Sequence, residues 1–124
     1  MIKDFSILIV EDDKWLAEQN ARVLEIAGYK TEIALSALEA MMKINNLVPD
    51  AIILDVLLTG STAFALLHEL QSYADTGEIP IILCTNLANE LSLEELSPYG
   101  VKEIINKMTM LPDDLTLALR RVLL

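Results

Sequence analysis

The sequence predicts one α/β domain of (βα)5 architecture, in which a doubly wound, five-stranded parallel sheet carries helices on both faces. Short apolar runs of strand length alternate five times with longer segments of helical periodicity. Three of these runs are apolar at nearly every position, which is typical of strands buried on both faces of a parallel sheet. The 124 residues are about the length of one domain, so we expect a single domain over residues 1–124.

The first two strands are each followed by a helix. Residues 7–10 predict the first strand, and residues 13–27 predict a helix that ends before a glycine. Residues 30–34 predict a weaker second strand, because charged and apolar side chains alternate in it. A serine with a glutamate three residues later forms a capping box at residues 36–39, and it opens a helix to about Asn46.

The rest of the chain continues the alternation. The predicted elements are a strand at 51–54, a helix at 63–73, a strand at 80–84, a short acidic helix at 90–97, a strand at 102–105 and a helix that begins at 112–114. In the helix at 63–73, we expect four large apolar side chains to face the core, namely Phe64, Leu66, Leu67 and Leu70.

Charge and hydropathy exclude several classes of partner. Nine basic residues face 19 acidic residues, which gives a formal net charge of −10. Nucleic-acid phosphates and anionic lipid surfaces repel such a chain, so we expect no direct nucleic-acid or membrane partner. No apolar run approaches the ~20 residues of a membrane helix, and the N-terminus lacks a signal-peptide pattern. These features predict a cytoplasmic protein.

The single cysteine, Cys84, lies within an apolar run. One cysteine cannot form an intramolecular disulfide, which fits a reducing compartment. We expect Cys84 to be a small residue of the core.

Chemically active side chains follow four of the predicted strands. Glu11 and Asp12 follow the first strand, Asp55 follows the third, and Thr85 and Lys107 lie at the ends of the fourth and fifth. Open parallel sheets bind ligands at the carboxyl ends of their strands, so these residues should meet. Clustered carboxylates repel one another, and a hard divalent cation such as Mg²⁺ offsets that repulsion. A second interpretation of the acids after the first strand is that Asp12 or Asp13 caps the following helix.

Four segments carry a resemblance to a known family. They are Ile7–Asp13, Ile53–Asp55, Leu83–Thr85 and Asn106–Lys107. In order and separation they resemble the strand-end motifs of the receiver domains of response regulators in two-component signalling. The resemblance covers essentially the whole chain and implies the flavodoxin-like, CheY-like arrangement of the predicted (βα)5 fold.

The resemblance implies a metal site for Mg²⁺, with Mn²⁺ as an alternative ion. Its ligands would be the carboxylates of Glu11, Asp12 and Asp55. The backbone carbonyl of Leu57 would supply a further ligand.

The resemblance also implies a phosphorelay function. Asp55 would accept a phosphoryl group from a sensor histidine kinase or a histidine phosphotransfer protein, and Thr85 and Lys107 would contact the phosphoryl oxygens. The protein would not be an enzyme beyond autocatalytic phosphorylation and self-dephosphorylation. A downstream protein would bind the face formed by the fourth helix, the fifth strand and the fifth helix. The last helix has more apolar residues than one buried stripe needs, so we expect a homodimer as one use of its surface.

The chain departs from the family pattern at three places. The loop after Asp55 lacks the usual proline and Asp-Gly pair, and Gly60 would supply its tight turn instead. Met108 stands where the family has a proline after the lysine, so we expect a trans bond there. Isoleucines replace the aromatic switch residue of the fifth strand. These departures favour an alternative hypothesis, a pseudo-receiver that binds proteins without being phosphorylated.

A third hypothesis, a small phosphatase with Asp55 as nucleophile, is disfavoured. Such enzymes need a second aspartate two residues later as a general acid, and Leu57 occupies that place.

Overall fold

The computed structural model describes residues 4–58 and 61–124, and its centre is a five-stranded parallel sheet. Its strands are β1 (Ser6–Val10), β2 (Lys30–Ala34), β3 (Ala51–Leu54), β4 (Ile81–Thr85) and β5 (Val101–Asn106). Their spatial order is β2-β1-β3-β4-β5, and every neighbouring pair is parallel. The order reverses beside β1, so the sheet is doubly wound. The predicted fold class is confirmed.

Helices cover both faces of this sheet. They are α1 (Lys14–Ile26), α2 (Ala37–Asn46), α3 (Ala63–Gln71), α4 (Leu93–Leu96) and α5 (Asp114–Leu123). The predicted caps form: the amide of Leu16 donates to the Asp13 carboxylate at 3.2 Å, and the amide of Glu39 donates to the Ser36 hydroxyl at 3.1 Å. Asp13 therefore serves as the helix cap that the sequence allowed for Asp12 or Asp13.

Two predicted helices are shorter in the structure. The helix predicted over 63–73 ends at Gln71, and a separate four-residue helical segment, Ala74–Gly77, follows it. The Thr76 hydroxyl donates to the carbonyl oxygen of Leu70 at 2.5 Å and joins the two segments. The helix predicted over 90–97 is reduced to α4, which has 3-10 turns on either side. Ser92 caps α4, and a proline in the next turn stops it.

The prediction that Phe64 faces the core is wrong. Phe64 is 38% exposed, whereas Leu66, Leu67 and Leu70 are buried. The buried stripe of α3 begins at Ala63, and the next residue along a helix is turned about 100° away from it. Phe64 therefore lies at the margin of the stripe.

Two hydrophobic cores lie on opposite faces of the sheet. One packs the sheet against α2, α3 and α4, and the other packs it against α1 and α5. Neighbouring residues of one strand point to opposite faces, so Leu8 enters the first core while Ile7 and Ile9 enter the second. Both faces of each central strand are thus covered, which is why these strands are apolar throughout. Cys84 is 2% exposed in the second core, as predicted.

The surface of α5 agrees with one further expectation. On α5, Leu115 and Leu119 are buried while Leu117 is 44% exposed, so this helix does have apolar side chains beyond its buried stripe. Among the described residues, no helix has the length and apolar character needed to cross a membrane.

Two glycines adopt left-handed backbone conformations and differ in their surroundings. Gly28 follows α1 with φ +102°, and Gly100 precedes β5 with φ +88°. A Cβ atom at Gly28 would meet no atom within 4 Å. A Cβ atom at Gly100 would lie 3.2 Å from the carbonyl oxygen of Ile79.

We expect Gly100→Ala to destabilise the protein more than Gly28→Ala. Both variants bear the left-handed strain of a residue with a Cβ atom, roughly 1–2 kcal/mol. Only Gly100→Ala adds a close contact with backbone that cannot move freely. Urea denaturation of both variants measures the difference, with Gly28→Ala as the matched control. Equal losses in the free energy of unfolding would show that the approach to Ile79 costs nothing.

Candidate functional site at the carboxyl edge of the sheet

The carboxyl ends of four strands carry the predicted site residues to one edge of the sheet. Glu11 and Asp12 directly follow β1, Asp55 follows β3, Thr85 ends β4, and Lys107 follows β5. Parallel pairing in register brings these positions together although they are far apart in the sequence.

Three carboxylates form the centre of the site. One oxygen from each of Glu11, Asp12 and Asp55 lies within 4.8 Å of the other two. Glu11 and Asp55 are 3% and 6% exposed, while Asp12 is exposed. Backbone bonds hold the two buried residues, since the Glu11 amide donates to Ala34 at 3.0 Å and the Asp55 amide donates to Val10 at 3.1 Å. The sheet therefore fixes both carboxylates where its strands end.

Lys107 joins two of these carboxylates. Its ammonium donates to Oδ2 of Asp55 at 2.7 Å and also forms a hydrogen bond and ion pair with Oε1 of Glu11. The backbone amide of Lys107 donates to the carbonyl oxygen of Thr85 at 3.1 Å, which ties the lysine to the end of β4. One ammonium thus bridges two of the three carboxylates.

Burial and hydrogen bonding shift two pKa values in the site. Burial raises the pKa of Glu11, although hydrogen bonds from Lys107 and from the amide of Asp13 oppose the shift. Burial alone would lower the pKa of Lys107, but its hydrogen bonds to Asp55 and Glu11 outweigh that effect and raise it. The lysine is therefore held in its charged form.

Thr85 is fully buried, and its hydroxyl oxygen accepts a hydrogen bond from the amide of Leu87 at 3.2 Å. This bond orients the threonine side chain at the end of β4. The site therefore has a hydroxyl, an ammonium and a carboxylate cluster along one edge.

The carboxylate cluster fits the donor set of a hard divalent cation. Mg²⁺ prefers oxygen ligands and uses only a few protein groups. The Lys107 ammonium contacts the two buried carboxylates, and one oxygen from each of the three carboxylates lies close enough to the others to share one small cation.

The loop after Asp55 takes a form that the sequence did not predict. Leu57–Leu58 pairs with Ser61–Thr62 as a short antiparallel ladder. The tight turn predicted at Gly60 lies outside the described residues. The described peptide bonds are all trans, including the bond between Lys107 and Met108.

A second feature beside the site was missed by the sequence interpretation. The thiol of Cys84 lies 3.7 Å from the sulfur of Met110, and a cavity of about 260 Å³ adjoins both residues and Lys107. Burial raises the pKa of Cys84 to about 11; the charge of Lys107 opposes the shift, and the charges of Asp55 and Glu11 add to it. No sequence pattern indicates the contact between the two sulfur atoms, because it joins residues from separate elements.

The fold and site together define a doubly wound α/β domain with a lysine-bridged acidic site at its carboxyl edge. The family model for the response regulator receiver domain matches residues 7–120. The chain therefore belongs to the response regulator receiver domains of two-component systems.

Solved structures of this kind are similar over nearly the whole chain. The chemotaxis response regulator CheY4 of Vibrio cholerae superposes with a TM-score of 0.84 at 26% identity, covering 97% of this chain and 99% of that one. A putative response regulator from Chloroflexus aurantiacus has a TM-score of 0.84 at 31% identity, covering 98% of each chain. A sensor protein from Polaromonas sp. JS666 has a TM-score of 0.89 at 25% identity, covering 98% of this chain and 97% of that one.

Curated relatives are longer proteins. The phosphate regulon transcriptional regulatory protein PhoB of Pseudomonas aeruginosa is 33% identical over 118 residues, which are 95% of this chain and 51% of the relative. The response regulator MprA of Mycobacterium sp. (strain KMS) is 35% identical over 79 residues, which are 64% of this chain and 34% of the relative. The chain thus spans about half or less of these relatives.

We expect Lys107→Met to lower the free energy of unfolding by about 3 kcal/mol, because it leaves two buried carboxylates without their ammonium. Urea denaturation without divalent cations measures the loss. Lys102→Met is the matched control, because Lys102 is exposed on β5; its effect should stay within about 0.5 kcal/mol. Equal stabilities of the two variants would contradict the importance of the buried ion pairs.

We expect Cys84 to resist alkylation in the folded protein. A pKa of about 11 instead of 9.0 lowers the thiolate fraction at pH 8 about a hundredfold, and burial limits access further. The rate of modification by iodoacetamide should rise with pH up to about 11 and should increase sharply in urea. Native and unfolded rates that agree at pH 8 would contradict this description of the thiol.

Proposed function

We propose that Asp55 accepts a phosphoryl group from a sensor histidine kinase or a histidine phosphotransfer protein, and that this modification changes the binding of a downstream protein. The observation that carries the proposal is the partly buried contact of Asp55 with Lys107 inside the carboxylate cluster. Membership of the receiver family supports the same chemistry.

In the proposed reaction, an Asp55 oxygen attacks the phosphorus of a phosphohistidine. The P–N bond breaks, the imidazole nitrogen takes the electron pair, and an acyl phosphate forms on Asp55. Lys107 already contacts Asp55, so its ammonium is close to where phosphoryl oxygens would be attached. The hydroxyl of Thr85 at the neighbouring strand end would donate to another of these oxygens.

Glu11, Asp12 and Asp55 would hold Mg²⁺, or Mn²⁺ in its place, with the backbone carbonyl of Leu57 as a further ligand. When bound, the ion neutralises negative charge on the transferred phosphoryl oxygens. The exposure of Asp12 gives the cluster a side that opens to solvent, from which a cation can enter.

The phosphorylated domain would act as a signal rather than as a turnover enzyme. Its chemistry would consist of autocatalytic phosphorylation of Asp55 and slow self-dephosphorylation of the acyl phosphate. A downstream protein would bind the face of α4, β5 and α5. On that face, Arg121 donates two hydrogen bonds to Glu103, at 2.7 and 2.6 Å, and Leu117 is exposed. The exposed Leu117 also supports a homodimer through α5.

A receiver fold that binds proteins without being phosphorylated is the alternative function. The feature that favours it is the loop after Asp55, where the chain forms the short ladder of Leu57–Leu58 with Ser61–Thr62. The complete set of site residues favours phosphorylation.

We expect one phosphoryl adduct after incubation with acetyl phosphate and Mg²⁺, as measured by intact mass. EDTA should prevent the adduct, because the carboxylate cluster then lacks its cation. Asp55→Asn should abolish the adduct, because the amide is not a nucleophile. Asp75→Asn is the matched control, since Asp75 is exposed and distant in sequence from the cluster. An unmodified wild-type protein that also fails to bind beryllofluoride would establish the pseudo-receiver.

A further inference from the structure

A long central part of the chain is acidic and has no lysine or arginine. Residues 44–101 contain eight acidic residues, and all lysines and arginines lie outside this range. Six of the eight are exposed on or beside α3 and α4, namely Glu69, Asp75, Glu78, Glu90, Glu94 and Glu95. Within the described part of the chain, no lysine or arginine forms an ion pair with these six. This surface therefore attracts cationic partners.

An aromatic cleft is lined by residues of α3 and of the 3-10 turn that follows α4. Phe64 and His68 on α3 and Tyr99 on the 3-10 turn Ser97–Tyr99 line it, and the buried Leu67 forms its floor. The rings of His68 and Tyr99 meet edge to face, with centroids 4.8 Å apart and planes at 72°. Phe64 is the residue that the sequence placed in the core and that the structure exposes. The cleft thus presents aromatic surface that the core does not use.

The chemistry of this cleft fits a guanidinium group. Aromatic rings attract cations at their faces, and arginine stacks on them more readily than lysine does. Exposed carboxylates are close to the cleft residues in the sequence: Glu69 follows His68, and Glu94 and Glu95 lie in α4, which precedes the turn that carries Tyr99. An arginine side chain could stack on the aromatic rings, and the exposed carboxylates on and beside these elements would attract its charge over a longer range.

The size of the cleft points to a side chain rather than a small molecule. Its volume is about 170 Å³, below the roughly 300–1,000 Å³ that is typical of small-molecule sites. Arginine and aromatic residues are also the usual anchors of protein–protein interfaces. Nucleic acid is a poor candidate, because its phosphates would meet the acidic surface.

We infer that the cleft between α3 and the Ser97–Tyr99 turn docks an arginine-bearing basic segment of a partner protein. The lining residues of the cleft do not belong to the carboxylate site, and the contact does not require phosphorylation of Asp55.

The test is an NMR titration of the full chain with a hexapeptide. Its four central residues alternate between arginine and leucine, and both of its ends are glycines. We expect saturable shifts centred on Phe64, His68 and Tyr99. A peptide with citrulline in place of arginine keeps the shape without the charge and should bind about tenfold or more weakly. Binding of the citrulline peptide with equal affinity, or shifts that do not involve the cleft, would overturn the inference.

Two pairs of variants separate the cleft from general attraction to an acidic protein. Glu94→Gln/Glu95→Gln should weaken binding several-fold, whereas the matched control Glu18→Gln/Glu25→Gln removes the same charge from α1 and should leave it unchanged. Phe64→Ala should weaken binding about three- to tenfold. Phe64→Leu, which removes the ring but keeps apolar volume, repeats this test with less risk to folding. Equal weakening by both charge pairs, or no effect of either Phe64 variant, would refute docking in the cleft.

Discussion

The contact of the Lys107 ammonium with two buried carboxylates is the interaction on which the site depends. It joins Lys107 to Glu11 across 96 residues of sequence and to Asp55 across 52. Such a group can be buried only where its partners are held in place, because an unpaired buried charge is costly. The parallel sheet meets this requirement, since it ends β1, β3 and β5 at the same edge. The ion pairs are therefore a consequence of correct strand register.

Register in turn depends on the two cores that cover the sheet. Each central strand sends alternate side chains into opposite cores. A register slip of one residue would therefore move the side chain of Ile9 into the first core and the side chains of its two neighbours into the second. Nearly every position of these strands is apolar, and side-chain shape rather than polarity must therefore choose between the two registers. Glu11 and Asp55 directly follow β1 and β3, so the register that the cores choose also decides which carboxylates meet at the sheet edge.

The sequence predicted the strands and the site better than it predicted the surface segments. Strand positions followed from apolar runs, and the meeting of Glu11 with Asp55 followed from parallel geometry alone. Phe64 was misplaced because the buried stripe of α3 includes Ala63, and a small residue at the start of a helix is a weaker signal than a large aromatic one. The helix at 90–97 was overextended because a local pattern does not show how far a cap and a proline confine α4. The double contact of Lys107 was not predicted, because it requires three strand ends in space.

The acidic surplus of the chain divides into two groups with different physical consequences. The carboxylates at the sheet edge are drawn together by the fold, and their clustered oxygens favour a small, hard cation. The acids on and beside α3 and α4 are solvated and cost little individually, but no cationic side chain of residues 44–101 screens them. They favour a larger, softer cation that can also stack on Phe64 and Tyr99. The net charge of −10 therefore does not distinguish two acidic regions that select different cations. Burial sets the selectivity of the first region, and exposed aromatic surface sets that of the second.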